Sequence, residues 1–252
     1  MGKYIIAFIA LLLGLGVMAY AWTQISDIQK IYDEGNALYE DLRSQAKGNS
    51  ASDAPESPKS PKVYIPKLDI DFEELKNINE DSTAWLYSPD TVIDYPVMKA
   101  ADYNYYLSHL PDGTWNANGS LFIDYNNAPD FSDRLTVIYG HHMKSGSMFG
   151  NLKGYKSQEY FDEHPYMYLY TDQGNYRIDL MYGSVIGAGQ WREQAFMFEE
   201  NTDALLAYAE FNTTFDSGVR HSKNDRIVVL STCSYEFDNA RYFVVGKLTP
   251  EY

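Results

Sequence analysis

The distribution of apolar positions is uneven from the first residues. Residues 4–22, YIIAFIALLLGLGVMAYAW, contain no charged side chain. A helix of about 20 apolar residues spans the hydrocarbon core of a bilayer. Lys3 precedes the run and Asp27 is the first acid after it, which puts the N-terminus in the cytoplasm and the remainder outside. Ala19-Tyr20-Ala21 also fits the small-x-small pattern of a signal-peptide cleavage site. The run is long for that, and a helical pattern continues beyond it. Residues 1–23 are therefore read as a cytoplasmic tip and an uncleaved transmembrane signal-anchor.

In residues 24–46, Ile25, Ile28, Ile31 or Tyr32, Leu38 and Leu42 fall roughly on one helical face. Gly35 weakens that helix. A solvated stalk is the expectation, with a helix docked on the domain as the alternative. Residues 47–62, KGNSASDAPESPKSPK, have three prolines and no apolar period, the mark of a linker. The division is thus an anchor over 1–23, stalk and linker over 24–62, and a domain over 63–252 that folds without the anchor. A short helix is expected over 70–79, capped by Asp69 or Asp71.

Beyond it the pattern changes from a period near 3.6 to a period of 2. TAWLYS, TVIDYPVM, GSLFIDY, RLTVIYGHH, YMYLYT, YRIDLMYGSVIGA, RIVVLSTC and RYFVVGKL are short and rich in β-branched and aromatic residues. Gly, Pro, Asn and Asp separate them. Such a series predicts a β-barrel or sandwich. One segment departs from it: residues 201–211, NTDALLAYAEF, read as a capped helix in the connection before the last two strands. No internal repeat is visible.

Composition narrows the function. The chain has 252 residues, 45% hydrophobic and 22% charged, enough apolar material for a core and against global disorder. Its formal net charge is −15. That argues against nucleic-acid binding, which needs clustered cations, and against a hold on anionic lipid other than through the helix. A single cysteine excludes an intrachain disulfide and a cysteine-based zinc site.

That cysteine, Cys233, ends an apolar strand at the point where the sequence turns polar, SYEFDNA. A strand end holds a nucleophile rigidly while leaving it open to substrate; the plainer reading is a small buried hydrophobe. A second strand ends in Tyr139-Gly140-His141-His142. Imidazole is the usual base for a thiol and stabilises it as thiolate–imidazolium. The pair could instead lie on the surface or bind a metal. Adjacent side chains of a strand point to opposite faces, and with no second cysteine and no His-x-His spacing no metal site is expected. Arg241 opens the last strand eight residues after Cys233. A hairpin would bring its guanidinium beside the thiol, where it could stabilise a tetrahedral oxyanion; an ordinary salt bridge is the alternative.

LSTC followed by an arginine eight residues on, with YGHHM upstream, resembles the sortase family. IDFEELKNINEDSTAWLYSPDTVIDYPVMKAADYNYYL, GSLFIDYNN and YGHHMKSGSMFGNL resemble class B of that family, in the right order, over about residues 68–250. The resemblance implies a mainly β fold. It would be a closed eight-stranded barrel with N-terminal helices, a helix in the connection before the cysteine strand, and a single N-terminal transmembrane helix. It implies a membrane-anchored cysteine transpeptidase of Gram-positive bacteria, with its catalytic domain extracellular. Such an enzyme cleaves a C-terminal sorting signal of secreted proteins and passes the acyl group to a cell-wall precursor or pilin amine, with no cofactor or metal. Carried over by motif, Cys233 is the nucleophile, His141 the acid/base, and Arg241 the oxyanion and substrate clamp. Leu107 and Ser231 match substrate-groove positions.

Two positions depart from the family pattern. His142 stands where Asn or Thr is common. Tyr103, with Asn104 beside it, stands in the groove where Asn is common, so the choice of sorting signal is open. The connection over residues 189–225 is expected to set substrate preference. A secreted cysteine hydrolase with the same Cys-His-Arg site, and a non-enzymatic surface β-domain with an inert cysteine, stay open as alternatives.

Overall fold

The computed structural model describes residues 2–47, 65–195, 198–234 and 239–251. Most of the expected linker, and residues 235–238, lie outside the described residues. The first element, α1, is one uninterrupted helix from Gly2 to Ala46, with no proline in it to break the hydrogen-bond ladder. Its first half stands clear of the rest. It belongs to the one helix, among the described residues, long and apolar enough to cross a membrane.

The stretch next to the apolar run is exposed, as a stalk requires; Ile25 and Ile28 face outward. The second half instead follows the docking alternative. Tyr39, Leu42 and Ala46 are buried, and Tyr32 and Leu38 pack against the same core. Asn116 Nδ2 donates to Ile31 O at 2.7 Å and Asn118 Nδ2 to Tyr32 O at 3.3 Å. Gly35, expected only to weaken the helix, has a packing reason. A Cβ there would lie 2.3 Å from Asn118 Nδ2 and 2.9 Å from Asn116 Oδ1. At the C-terminal end Arg43 Nε donates to Asp94 O at 2.9 Å. Lys47 Nζ meets both carboxylate oxygens of Asp94 at 2.6 Å.

The next helix, α2 (Phe72–Ile78), is capped by Asp71, whose carboxylate accepts from Glu74 N at 2.9 Å. Eight strands follow: β1 Ser82–Tyr87, β2 Asp94–Lys99, β3 Leu121–Ile123, β4 Leu135–Tyr139, β5 Tyr166–Thr171, β6 Gly174–Gly187, β7 Ile227–Ser234 and β8 Ala240–Pro250. Each falls on one of the eight runs read from the sequence. They close into a barrel in the order β1-β2-β3-β4-β7-β8-β6-β5, so no long edge is left to pair elsewhere. Neighbours are antiparallel except β2 with β3 and β4 with β7. A parallel pair needs a crossover. The β2–β3 crossover is the 100–120 loop, and the return to β7 carries helices α4 (Ala188–Ala195) and α5 (Phe198–Phe211).

Alternation sorts each strand between two clusters. Inside the barrel lie Leu86, Val97, Ile138, Leu180, Val228, Leu230 and Val244, and Tyr39 and Leu42 of α1 pack onto the same cluster. Phe149, Leu152 and Tyr155 from the 3-10 helix Phe149–Lys156, and Phe161 from α3 (Gln158–Glu163), join the same core. Outside lie Leu135, Val137, Ile227, Val229, Phe243 and Val245, covered by Trp191 of α4 and Leu205, Leu206 and Ala209 of α5. The sequence pattern did not predict α4, α3 or the 3-10 helix.

Two outcomes follow. Residues 24–252 should be more stable than residues 63–252. The shorter fragment loses the burial of Tyr39 and Leu42, about 3–6 kcal/mol at about 1.5–3 kcal/mol per large side chain. The expected drop in melting temperature is about 10–20 °C for a domain of this size; equal melting temperatures would show that the docked helix contributes nothing. Alkaline pH should also unfold the chain cooperatively. Burial raises the phenol pKa of Tyr39, Tyr106, Tyr139 and Tyr155, whereas unfolded tyrosine ionises near pH ~10. The folded state therefore holds more protons above that pH, and stability is full below about pH 10 and falls as pH rises further. Phenolate absorbance should rise in two steps, the second together with loss of β-sheet circular dichroism. Complete phenol ionisation with native dichroism would contradict the burial.

Candidate active site

The site is built on the outer face of the barrel at the ends of three strands. In β4 and β7 the residues at 135, 137, 227 and 229 face the outer helices, while 138, 228 and 230 face the core. In β8 residues 243 and 245 face outward, and 242 and 244 inward. Continued by the period of 2, the outer face at the strand ends holds positions 139, 231, 233 and 241. The register brings them together. Tyr139 pairs with Ser231 across the parallel β4–β7 contact. Ser231 pairs with Phe243, and Cys233 with Arg241, across the antiparallel β7–β8 contact. The backbone thus sets the Cys233 and Arg241 positions directly opposite each other, as a hairpin requires.

β4 ends at Tyr139, yet its ladder continues one residue further, because Gly140 N donates to Ser231 O at 3.1 Å. His141 follows, half-buried. Its Nε2 lies 2.5 Å from Leu107 O. A carbonyl only accepts, so this bond needs the proton on Nε2. The carbonyl of His141 accepts from Phe149 N at 3.0 Å. His142 takes a different course, bridging to Met148. The two adjacent residues therefore have different backbone partners.

The β2–β3 loop supplies the wall beside His141. Asp102 Oδ1 accepts from Asn104 N at 2.7 Å and Tyr105 N at 2.9 Å, and these bonds lower its carboxyl pKa. This turn launches the 3-10 helix Tyr105–Leu107. Leu107 is 39% exposed, with its carbonyl on His141. Asn104 is exposed and lies between Leu107 and Tyr103. Tyr103 packs edge-on against Tyr139, with ring centroids 6.1 Å apart, and against Tyr125 at 4.6 Å. Ser231 is buried, and its Oγ has no hydrogen-bond partner among the described residues.

Three further residues at the site were not singled out from the sequence. Trp191 of α4 meets Tyr139 edge-on at 6.5 Å and Phe243 at 5.3 Å, closing the apolar end of the face. Its only sequence signal was a lone tryptophan among polar residues, in a helix too short to show a period. Tyr139 lies under it, beside Ser231. Asp124 is fully buried and accepts from Tyr139 OH at 3.0 Å and Asn126 N at 2.9 Å. Burial, then the Asp124 charge, raises the phenol pKa of both Tyr103 and Tyr139. Both phenols stay protonated, and that of Tyr139 donates to Asp124.

The Sortase domain model matches residues 86–249. Sortase B of Listeria monocytogenes is 33% identical over 182 residues, covering 71% of this chain and 74% of that protein. The X-ray structure of Clostridium perfringens sortase B is 31% identical with a TM-score of 0.65, covering 70% of this chain and 98% of that one. The crystal structure of Bacillus anthracis sortase B in complex with AAEK1 is 26% identical with a TM-score of 0.72, covering 88% and 99%. The chain therefore belongs to the sortase family, within class B, and is a cysteine transpeptidase.

Proposed function

We propose that this transpeptidase works through a thioacyl-enzyme on Cys233, with His141 as acid/base and Arg241 as oxyanion and substrate clamp. The Cys233 thiolate attacks a backbone carbonyl carbon of the sorting signal. The C–N bond breaks, and the imidazolium of His141 protonates the departing amine. The incoming amine attacks the thioester carbonyl and gives its proton to His141. The C–S bond then breaks and the thiolate returns. One amide replaces another, so the cycle needs no oxidant and no cofactor. The guanidinium of Arg241 offsets the negative charge on the tetrahedral oxygen in both steps.

The observation that carries this reading is the convergence of three strand ends: 233 opposite 241 in register, and His141 one residue beyond the Gly140–Ser231 bond. Leu107, Ser231, Tyr103 and Asn104 form the substrate groove in this proposal. The exposed Leu107, whose carbonyl accepts from His141 Nε2, supports it. The substrates are secreted proteins that bear a sorting signal, and the acceptor is a cell-wall or pilin amine. The apolar half of α1 is the anchor, and the barrel works on the outer side of the membrane.

Cys233→Ala should abolish both cleavage and transfer, since the chain has no other thiol. Arg241→Lys should lose about 10²–10³-fold, the scale of a lost oxyanion donor, because an ammonium lacks the planar fork. His141→Asn should lose about 10²–10⁴-fold, while His142→Asn keeps most activity. Single-turnover cleavage of a signal peptide, with product masses read with and without added amine, checks all four. An active His141→Asn beside an inactive His142→Asn would reverse the assignment, and products formed only with water would make the enzyme a hydrolase.

Exchanging residues 189–225 for the matching segment of a class B sortase of different preference should move the preferred signal. The reason is that Trp191 in that segment packs onto Tyr139 and Phe243 at the groove end. Unchanged preference in a folded chimera would assign specificity elsewhere.

A further inference from the structure

Tyr39 lies on α1, the helix that leads out of the apolar run, and is buried against the barrel. Its ring packs edge-on against Tyr95, with centroids 5.0 Å apart. Its hydroxyl donates to Gly119 O at 2.5 Å and lies 3.5 Å from Ser120 Oγ. Gly119 has a left-handed backbone, φ +58°, and sits in a tight place. A Cβ there would lie 2.6 Å from Tyr106 O, 2.8 Å from Leu107 O and 2.9 Å from His141 Cδ2. The residue that Tyr39 holds therefore touches both the His141 ring and the carbonyl that accepts from His141 Nε2.

Other bonds tie the same turn to α1. Asn116 and Asn118, just before Gly119, donate into the α1 backbone at Ile31 and Tyr32. Both crowd Gly35. Ser120 N donates to Tyr106 O at 2.8 Å. α1 thus fixes the 116–120 turn from one side, and on the other the turn lies against the 106–107 backbone and the His141 ring.

We infer that Tyr39 is a positioning residue for His141, so that the helix carrying the membrane anchor also supports the catalytic imidazole. This rests on the reading of His141 as acid/base. Without the Tyr39 hydroxyl, Gly119 O loses its donor in a buried place, and the 119–120 peptide turns to find another. That turn moves Leu107 O and the space under the imidazole together. The ring then loses its single orientation, and the Nε2–H tautomer loses the acceptor that selects it. Misplacing a catalytic group by about 1 Å can cost about 10²-fold in rate, so a partial loss of order falls below that.

The test uses the full chain in lipid nanodiscs with ¹⁵N-labelled histidine. Tyr39→Phe keeps the ring and its packing on Tyr95 and removes only the hydroxyl. It should lower kcat about tenfold at nearly unchanged KM, and its His141 ¹⁵N resonances should report a mixture of tautomers. Leu42→Ala, which loosens the same helix without touching the turn, should lower the melting temperature and leave the His141 resonances as in the unmodified protein. Unaltered kcat and resonances in Tyr39→Phe, beside an inactive His141→Asn, overturn the inference alone. Equal changes in Leu42→Ala and Tyr39→Phe also overturn it, since general loosening would then explain both. An active His141→Asn removes the site reading and the inference with it.

Discussion

The parallel contact between β4 and β7 runs in unbroken register from Leu135↔Ile227 to Tyr139↔Ser231, and the site depends on it. The β7–β8 register continues the same frame from Ile227↔Lys247 to Ser234↔Ala240. Because side chains alternate with a period of 2, a slip of one residue in either pairing would send every outward position into the core. Arg241 would then point into the barrel, and Val228, Leu230 and Val244 would come out. Each exposed aliphatic costs about 1.5–3 kcal/mol, and a buried unpaired guanidinium costs more. The apolar interior, far larger than the site, therefore decides where the reactive positions lie. No local preference of Cys233 or Arg241 is needed.

The same core reaches the membrane helix. Arg43, Lys47 and Trp85 converge on Asp94 at the far end of the docked segment. These charges are about one-fifth exposed, and such pairs orient more than they stabilise. The burial of Tyr39 and Leu42 supplies the binding strength, and the ionic cluster sets the angle and the stop. From the apolar run to Lys47 the chain never leaves the helix except at its last residue. Anchor and barrel are therefore joined by one continuous helix seated in the domain. This differs from the solvated stalk expected from the sequence. An apolar stripe of moderate width at helical spacing fits a docked helix and an exposed one equally well. Only the partner surface decides, and Asn116 and Asn118 on that surface carry no signal of it.

The strands were legible because each is short, alternates cleanly and ends in turn residues. The three strand-end positions were legible because chemistry interrupts an apolar run there: Cys233 after RIVVLST, His141 after RLTVIYG, Arg241 before YFVVG. The groove walls were less so. Leu107 and Tyr103 stood out only by resemblance, because the 3-10 helix Tyr105–Leu107 is too short to show a period. Asp124 reads in the sequence as an ordinary loop acid after GSLFI. That it is fully buried follows from tertiary contacts with Tyr139 and the 126 amide. α4 was missed for a related reason: AGQWREQA has one apolar anchor, Trp191, and its helical form depends on that anchor finding Tyr139 and Phe243.

β7 shows within one strand how a rigid scaffold becomes reactive. Ile227, Val229 and their partners are sealed under α5. Two residues later the same face carries Ser231, and the strand runs on through position 233. The polar switch has a cost, since a buried hydroxyl without a partner loses about 1–3 kcal/mol of hydration. Ser231 Oγ and Thr232 Oγ1 both stand in that position among the described residues. The cost is small against the apolar burial that holds β7 between β4 and β8, so the strand keeps its register through the change.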